Sequence, residues 1–121
     1  MKKKILLIED EHDLVQVMKK RLLVAGYEVM ISQDAVIGTS EAHAFKPDLI
    51  ILDLMIPAGG GHLVLSRLES ASSTSNIPVL VITAMRDEAT KKKIMDLGVA
   101  GYMEKPFEIE DVLSEIKKIL V

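Results

Sequence analysis

Short apolar runs alternate with stretches in which apolar residues return every three or four positions, a pattern that predicts βα units and a parallel sheet. Strands are expected at Lys4–Ile8, Glu28–Ser32, Asp48–Leu52, from Pro78-Val79 up to Thr83, and at Ala100–Met103. The third is apolar after its first residue, as a strand covered on both faces should be. Helices are expected at about His12–Ala25, Ala35–Phe45, through Leu63, Val64, Leu65 and Leu68, at about Asp87–Leu97 and at about Phe107–Leu120. Gly26 suits the position just past the first helix, and Pro47 closes the second. The first helix places Leu14, Val17, Met18, Leu22 and Ala25 on one face, and the second carries a small-residue face of Ala35, Gly38 and Ala42. The last has the cleanest pattern, Ile109, Val112, Leu113, Ile116, Ile119 and Leu120. Ser70–Asn76 is a polar connector, and no repeat or second domain interrupts the order. Five βα units with right-handed crossovers make an α/β fold, a three-layer α/β/α sandwich.

The fourth helix departs from the others. Its apolar content is thin (Ala89, Ile94, Leu97), and Lys91-Lys92-Lys93 occupies its middle. A solvated surface helix accounts for the lysines, and a loosely held helix is also what a conformational switch recruits.

Composition narrows the class. The chain has 121 residues, 49% of them hydrophobic, enough for one core. No apolar run approaches the roughly 18 residues that span a bilayer. The Met1-Lys2-Lys3-Lys4 start is followed by an apolar stretch ending at Ile8, short of the ~7–15 residues of a secretory h-region. Cys is absent, so a disulfide framework and thiolate metal sites are excluded, and a reducing cytoplasm is the expected location. A net charge of −3 and 3% aromatic residues argue against direct nucleic-acid binding, and no membrane partner is expected.

Chemistry gathers at the strand ends. The first strand runs into Glu9-Asp10, the third into Asp53, the fourth stops at Thr83, and the fifth leads to Glu104-Lys105-Pro106. In an open parallel sheet the carboxyl ends of the strands form one ligand-binding edge. Capping accounts for single acids but not for acids at two adjacent strand ends, which repel by ~4 kcal/mol at ~4 Å and an effective dielectric near ~20. Oxygen ligands without cysteine point to Mg²⁺ or Mn²⁺. With a cation present, Lys105 and Thr83 suit phosphoryl oxygens, and central Asp53 suits a carboxylate nucleophile.

Ile-Glu-Asp-Glu at 8–11, Pro-Asp-Leu-Ile-Ile-Leu-Asp-Leu-Met-Ile-Pro at 47–57, Gly61, Val-Ile-Thr-Ala at 81–84 and Gly-Tyr-Met-Glu-Lys-Pro-Phe at 101–107 follow one another without insertion. Together they make the chain resemble the receiver domain of two-component response regulators, most closely the single-domain chemotaxis type, over residues 3–120. The resemblance implies a doubly wound, flavodoxin-like sheet of order 2-1-3-4-5 in one domain, 1–121. It implies that Glu9, Asp10, Asp53 and the Met55 carbonyl hold Mg²⁺ and that Asp53 accepts phosphate. Thr83 and Lys105 would bind the phosphoryl group, Thr83 and Tyr102 would be the switch residues, and Lys105–Pro106 would be cis. The donor is a histidine kinase or phosphotransfer protein, and the output is a protein target on the helix 4/strand 5/helix 5 face. Such a domain is not an enzyme beyond its own phosphorylation and dephosphorylation, and it also occurs within larger regulators and hybrid kinases. Ala58-Gly59-Gly60-Gly61 replaces the commoner loop ending in Asp-Gly, so a mobile loop is expected.

Other readings fit less well. A haloacid-dehalogenase-like phosphatase needs Asp-x-Asp where Glu9-Asp10-Glu11-His12 stands. A flavodoxin-type module needs a Ser/Thr-rich phosphate loop there. A phosphate-independent interaction domain has no use for the acceptor set. His12, His43 and His62 form no spaced ligand pair. Met55 and Met85, each two positions past a site residue, are expected at the pocket mouth.

Overall fold

Residues that gain from burial on both sides form the middle of the sheet in the computed structural model, which describes Met1–Val121. Strands and helices alternate as β1 (Lys4–Ile8), α1 (His12–Val24), β2 (Glu28–Ser32), α2 (Ala35–Phe45), β3 (Leu49–Asp53), α3 (Gly60–Ser70), β4 (Val79–Thr83), α4 (Glu88–Asp96), β5 (Gly101–Glu104) and α5 (Ile109–Ile119). All strand pairs are parallel, in the order β2-β1-β3-β4-β5. The chain winds outward from β1 to β2, then crosses back to β3 and onward. The order therefore reverses between β1 and β3, where such sheets open a crevice.

Strand side chains alternate between two apolar layers. Leu6, Ile8, Ile50, Leu52, Val79 and Val81 pack with Ala35 and Ala42 of α2 and with Val64, Leu65 and Leu68 of α3. Ile5, Leu7, Leu49, Ile51, Leu80 and Ile82 pack with Met18 and Leu22 of α1 and with Val112 and Ile116 of α5. The small face of α2 allows close approach: a Cβ on Gly38 would lie 2.8 Å from Ile8 Cδ1.

Helix α1 buries Val15, Met18 and Leu22, whereas Val17, expected on that face, is 49% exposed. At 3.6 residues per turn Val17 points roughly 130° away from those three. Ala25 is the C-cap, not a helical residue, and Gly26 follows it at φ 97°. Strands β3 and β5 each lie one residue further along than expected, which brings Asp53 itself into the ladder. Helix α4 begins after Asp87, whose side chain accepts from Ala89 N. The 70–76 connector is a structured turn. Its Thr74 is buried, and the hydroxyl donates to the Leu68 carbonyl at 2.7 Å, satisfying an end group of α3. The glycine loop is anchored at its far end. Gly61 N donates to Leu54 O at 2.9 Å, and a Cβ there would meet Leu54 Cα at 2.7 Å, so only glycine lets α3 start against the strand that carries Asp53.

Candidate functional site

Register builds the pocket. Ile8 lies opposite Leu52, Asp53 opposite Ile82, and Thr83 opposite Glu104. Glu9, Asp53, Thr83 and Lys105 thus share one edge, although Glu9 and Lys105 are 96 positions apart. The Lys105 ammonium lies 2.7 Å from Glu9 Oε1, 3.2 Å from Asp53 Oδ2 and 3.7 Å from Glu11 Oε1. Glu9 and Thr83 are fully buried, and Asp53 is 4% exposed.

Each acid is held by the backbone of the loop it begins. Glu9 Oε2 accepts from Asp10 N at 3.0 Å and Glu11 N at 3.1 Å, and Asp53 Oδ1 accepts from Met55 N at 3.0 Å. Helix α1 receives no side-chain cap, so capping does not account for its preceding acids. Burial pushes the Glu9 carboxyl above its ordinary range, and the Asp53 charge adds to this; the bonds from Lys105 and from Glu11 N offset only part. Burial alone would lower the Lys105 ammonium, but the Glu9 hydrogen bond and the Asp53 and Glu9 charges outweigh it and raise its pKa. Lys105 therefore stays a cation in the pocket.

Glu9, Asp10 and Asp53 each offer an oxygen within 4.8 Å of the others. Three carboxylates against one ammonium leave a formal charge of −2 (−3 + 1), with Asp10 exposed and the buried pair already fixed. A hard divalent cation with oxygen ligands matches both that charge and that donor set. The site residues fit Mg²⁺.

Thr83 Oγ1 accepts from Met85 N at 3.0 Å, which ties the hydroxyl to the loop entering α4. Of the two methionines expected at the pocket mouth, Met55 is 58% exposed, while Met85 is half-buried against the apolar layer that contains Ile94. Tyr102 on β5 packs against the same layer, with the Lys91 ammonium 5.6 Å from its ring centre and its hydroxyl buried without a partner. Burial, then Glu104, Glu88 and Asp87, push its phenol above the usual range. The Lys105–Pro106 peptide is cis. His12 and His62 are exposed, and His43 Nδ1 lies 3.2 Å from Ser73 Oγ; none lies in the acidic cluster.

Two residues here are ones sequence reasoning missed. Glu11 was visible as part of the acid run after β1 and reaches Lys105. Arg86, whose guanidinium bonds the Lys105 carbonyl, left no signal, because its partner is a backbone atom 19 positions on.

No helix is long and apolar enough to cross a membrane. A family model described as the response regulator receiver domain matches residues 5–117. The DNA-binding dual master transcriptional regulator RpaA of Synechocystis sp. is 36% identical over 117 residues, 97% of this chain and 48% of that protein. The chain spans about half the length of the curated relatives it matches. The chemotaxis response regulator CheY4 of Vibrio cholerae superposes at a TM-score of 0.91 with 26% identity, over 99% of this chain and all of that one. The receiver domain of the sensor histidine kinase PA1611 of Pseudomonas aeruginosa, which has a magnesium ion in its active-site cleft, shares the fold at a TM-score of 0.89 and 21% identity, over 99% and 98% of the two chains. With its strand order, its pocket and these matches, the chain belongs to the response regulator receiver domain family.

Proposed function

We propose that the domain is a phosphorylation-dependent switch in a two-component phosphorelay, working in the cytoplasm. The observation that supports this most is the Asp53 carboxylate, buried at the switch point with Lys105 at 3.2 Å and two further acids beside it. A carboxylate oxygen of Asp53 attacks the phosphorus carried by a histidine kinase or phosphotransfer protein. The O–P bond forms as the P–N bond breaks, and the departing imidazole nitrogen keeps the electron pair. A divalent cation such as Mg²⁺, held by Glu9, Asp10, Asp53 and the Met55 carbonyl, would neutralise the acids and polarise the phosphoryl oxygens. Lys105 and the Thr83 hydroxyl take phosphoryl oxygens. The domain turns over no substrate other than its own phosphoryl group.

The phosphate adds roughly two negative charges. One unit pair at ~4 Å contributes about 4 kcal/mol at an effective dielectric near ~20. Carrying a two-state element from 1:99 to 99:1 takes about 5.5 kcal/mol, so the new charge is of the required size. Thr83 is drawn toward the phosphate, the loop bonded to its hydroxyl follows, and Tyr102 turns further inward beside α4. The α4/β5/α5 face then meets its protein target. The same switch serves where a receiver is a module of a larger response regulator or hybrid kinase.

The test is incubation with Mg²⁺ and acetyl phosphate followed by intact-mass measurement. Wild type should gain one phosphoryl group. Asp53→Asn, nearly isosteric, should gain none while keeping its melting transition; phosphorylation of that variant at the wild-type rate would remove Asp53 as acceptor.

A further inference from the structure

Both backbone polar groups of Lys105 are held by the end of β4 and the segment that follows it. Its N–H donates to the Thr83 carbonyl at 2.8 Å, and its C=O accepts from Arg86 Nη2 at 2.8 Å. The other arm of the same guanidinium lies 3.4 Å from Glu104 Oε2. Pro106, next in the chain, has no N–H to hold the turn. Arg86 is the only side chain donating to this carbonyl, and a planar fork suits two acceptors on adjacent residues better than a lysine would. Meanwhile the Lys105 side chain spans from that turn to Glu9 and Asp53. Its aim depends on where its backbone sits.

We propose that Arg86 is a positioning residue for phosphoryl transfer, gripping the Lys105 carbonyl so that the Lys105 ammonium stays on Asp53. This rests on the reading of Asp53 as phosphoacceptor. Arg86 is mostly exposed and touches none of the pocket carboxylates directly, so its influence runs through Lys105. The other possible role, long-range attraction of an anionic donor, makes different predictions. Steering weakens with salt, because charges beyond a Debye length are screened, whereas a grip on a carbonyl persists.

The experiment measures the rate constant of Asp53 phosphorylation by acetyl phosphate in saturating Mg²⁺, with thermal melting recorded in parallel. Arg86→Ala should slow phosphorylation about fivefold, the scale of one lost hydrogen bond. The ratio of wild type to variant should stay the same when salt rises from about 0.05 to about 0.5 M. In a Lys105→Arg background the same substitution should cost less than twofold, because the placement it served is already altered. An unchanged rate for Arg86→Ala overturns the proposal. So does a ratio that collapses with salt, or an equal loss in both backgrounds. Failure of wild type itself to gain phosphate would instead overturn the reading of Asp53.

Discussion

The centre of the sheet and its β5 edge are built differently. In β1 and β3, Ile5–Ile8 and Leu49–Asp53 are at most 4% exposed, covered by helices on both sides. In β5 all four residues are half-buried, and α4 beside it buries only Ile94. What else holds α4 is local or exposed: the Asp87 cap, a Lys92–Asp96 pair at 3.4 Å in solvent, and Lys91 over Tyr102. Exposed pairs of that kind are worth a few tenths of a kcal/mol. The acids sit on the rigid half, while Thr83, Arg86, Tyr102 and Lys105 lie on or beside the softer half. A switch needs this division: a frame that does not move when charge is added, and an element whose alternatives differ by little.

The largest effect should come from breaking the frame. Leu52→Ala removes a fully buried side chain of β3, packed in the layer under α2 and α3, and should cost about 2–5 kcal/mol. Met95→Ala on α4, 45% exposed, should stay within about 0.5 kcal/mol. Urea unfolding of both variants checks this. Equal losses would mean that α4 is as firmly held as the sheet centre.

The same contrast governs what could be read in advance. The continuous apolar runs of β1, β3 and β4, buried on both faces, and the small face of α2 were legible, because hydrophobic pattern and packing coincide there. The acidic pocket was legible because parallel strands deliver their ends to one edge. Val17 was misplaced because adjacent apolar residues on α1 leave the angular centre of its face ambiguous. Thr74 and Arg86 were missed for a different reason. Each bonds a backbone carbonyl, and every residue supplies one, so no residue type marks the partner.

A smaller effect should come from the exposed acid of the pocket. Asp10→Asn removes one of the three clustered carboxylates and leaves the buried Glu9–Lys105–Asp53 set intact. Mg²⁺ affinity should fall at least about tenfold, as loss of a charged oxygen ligand requires. The metal-free variant should melt about 4 °C higher, since the repulsion of this exposed carboxylate at ~4 Å, screened almost as in bulk water, is worth about 1 kcal/mol. Titration of Mg²⁺ and melting with chelator present read the two effects separately. An unchanged affinity would remove Asp10 from the ligand set, and an unchanged melting point would mean solvent already screens it.

The smallest expected effect sharpens the comparison at two methionines, one just past the end of β3 and one just past the end of β4. An aspartyl phosphate is lost by in-line attack of water, so side chains at the mouth control how that water is placed. Met55 follows the rigid strand β3, is 58% exposed, and has its N–H on Asp53 Oδ1. Met85 follows Thr83, with its N–H on the Thr83 hydroxyl and its side chain packed against the layer that holds Ile94. Neither thioether orients water as an amide or carboxylate does, so self-dephosphorylation should be slow. Met55→Asn should speed the first-order decay of the phosphoform a fewfold without altering stability, because it replaces a side chain that packs on little. Met85→Glu should add to that rate but also lower the melting temperature, because it withdraws packing from the apolar layer that holds Ile94. Decay followed by intact mass in Mg²⁺ for the two single variants and the double variant separates these contributions. A double variant that decays no faster than wild type, while still folded and phosphorylated, would show that the lifetime is set deeper in the pocket than its mouth.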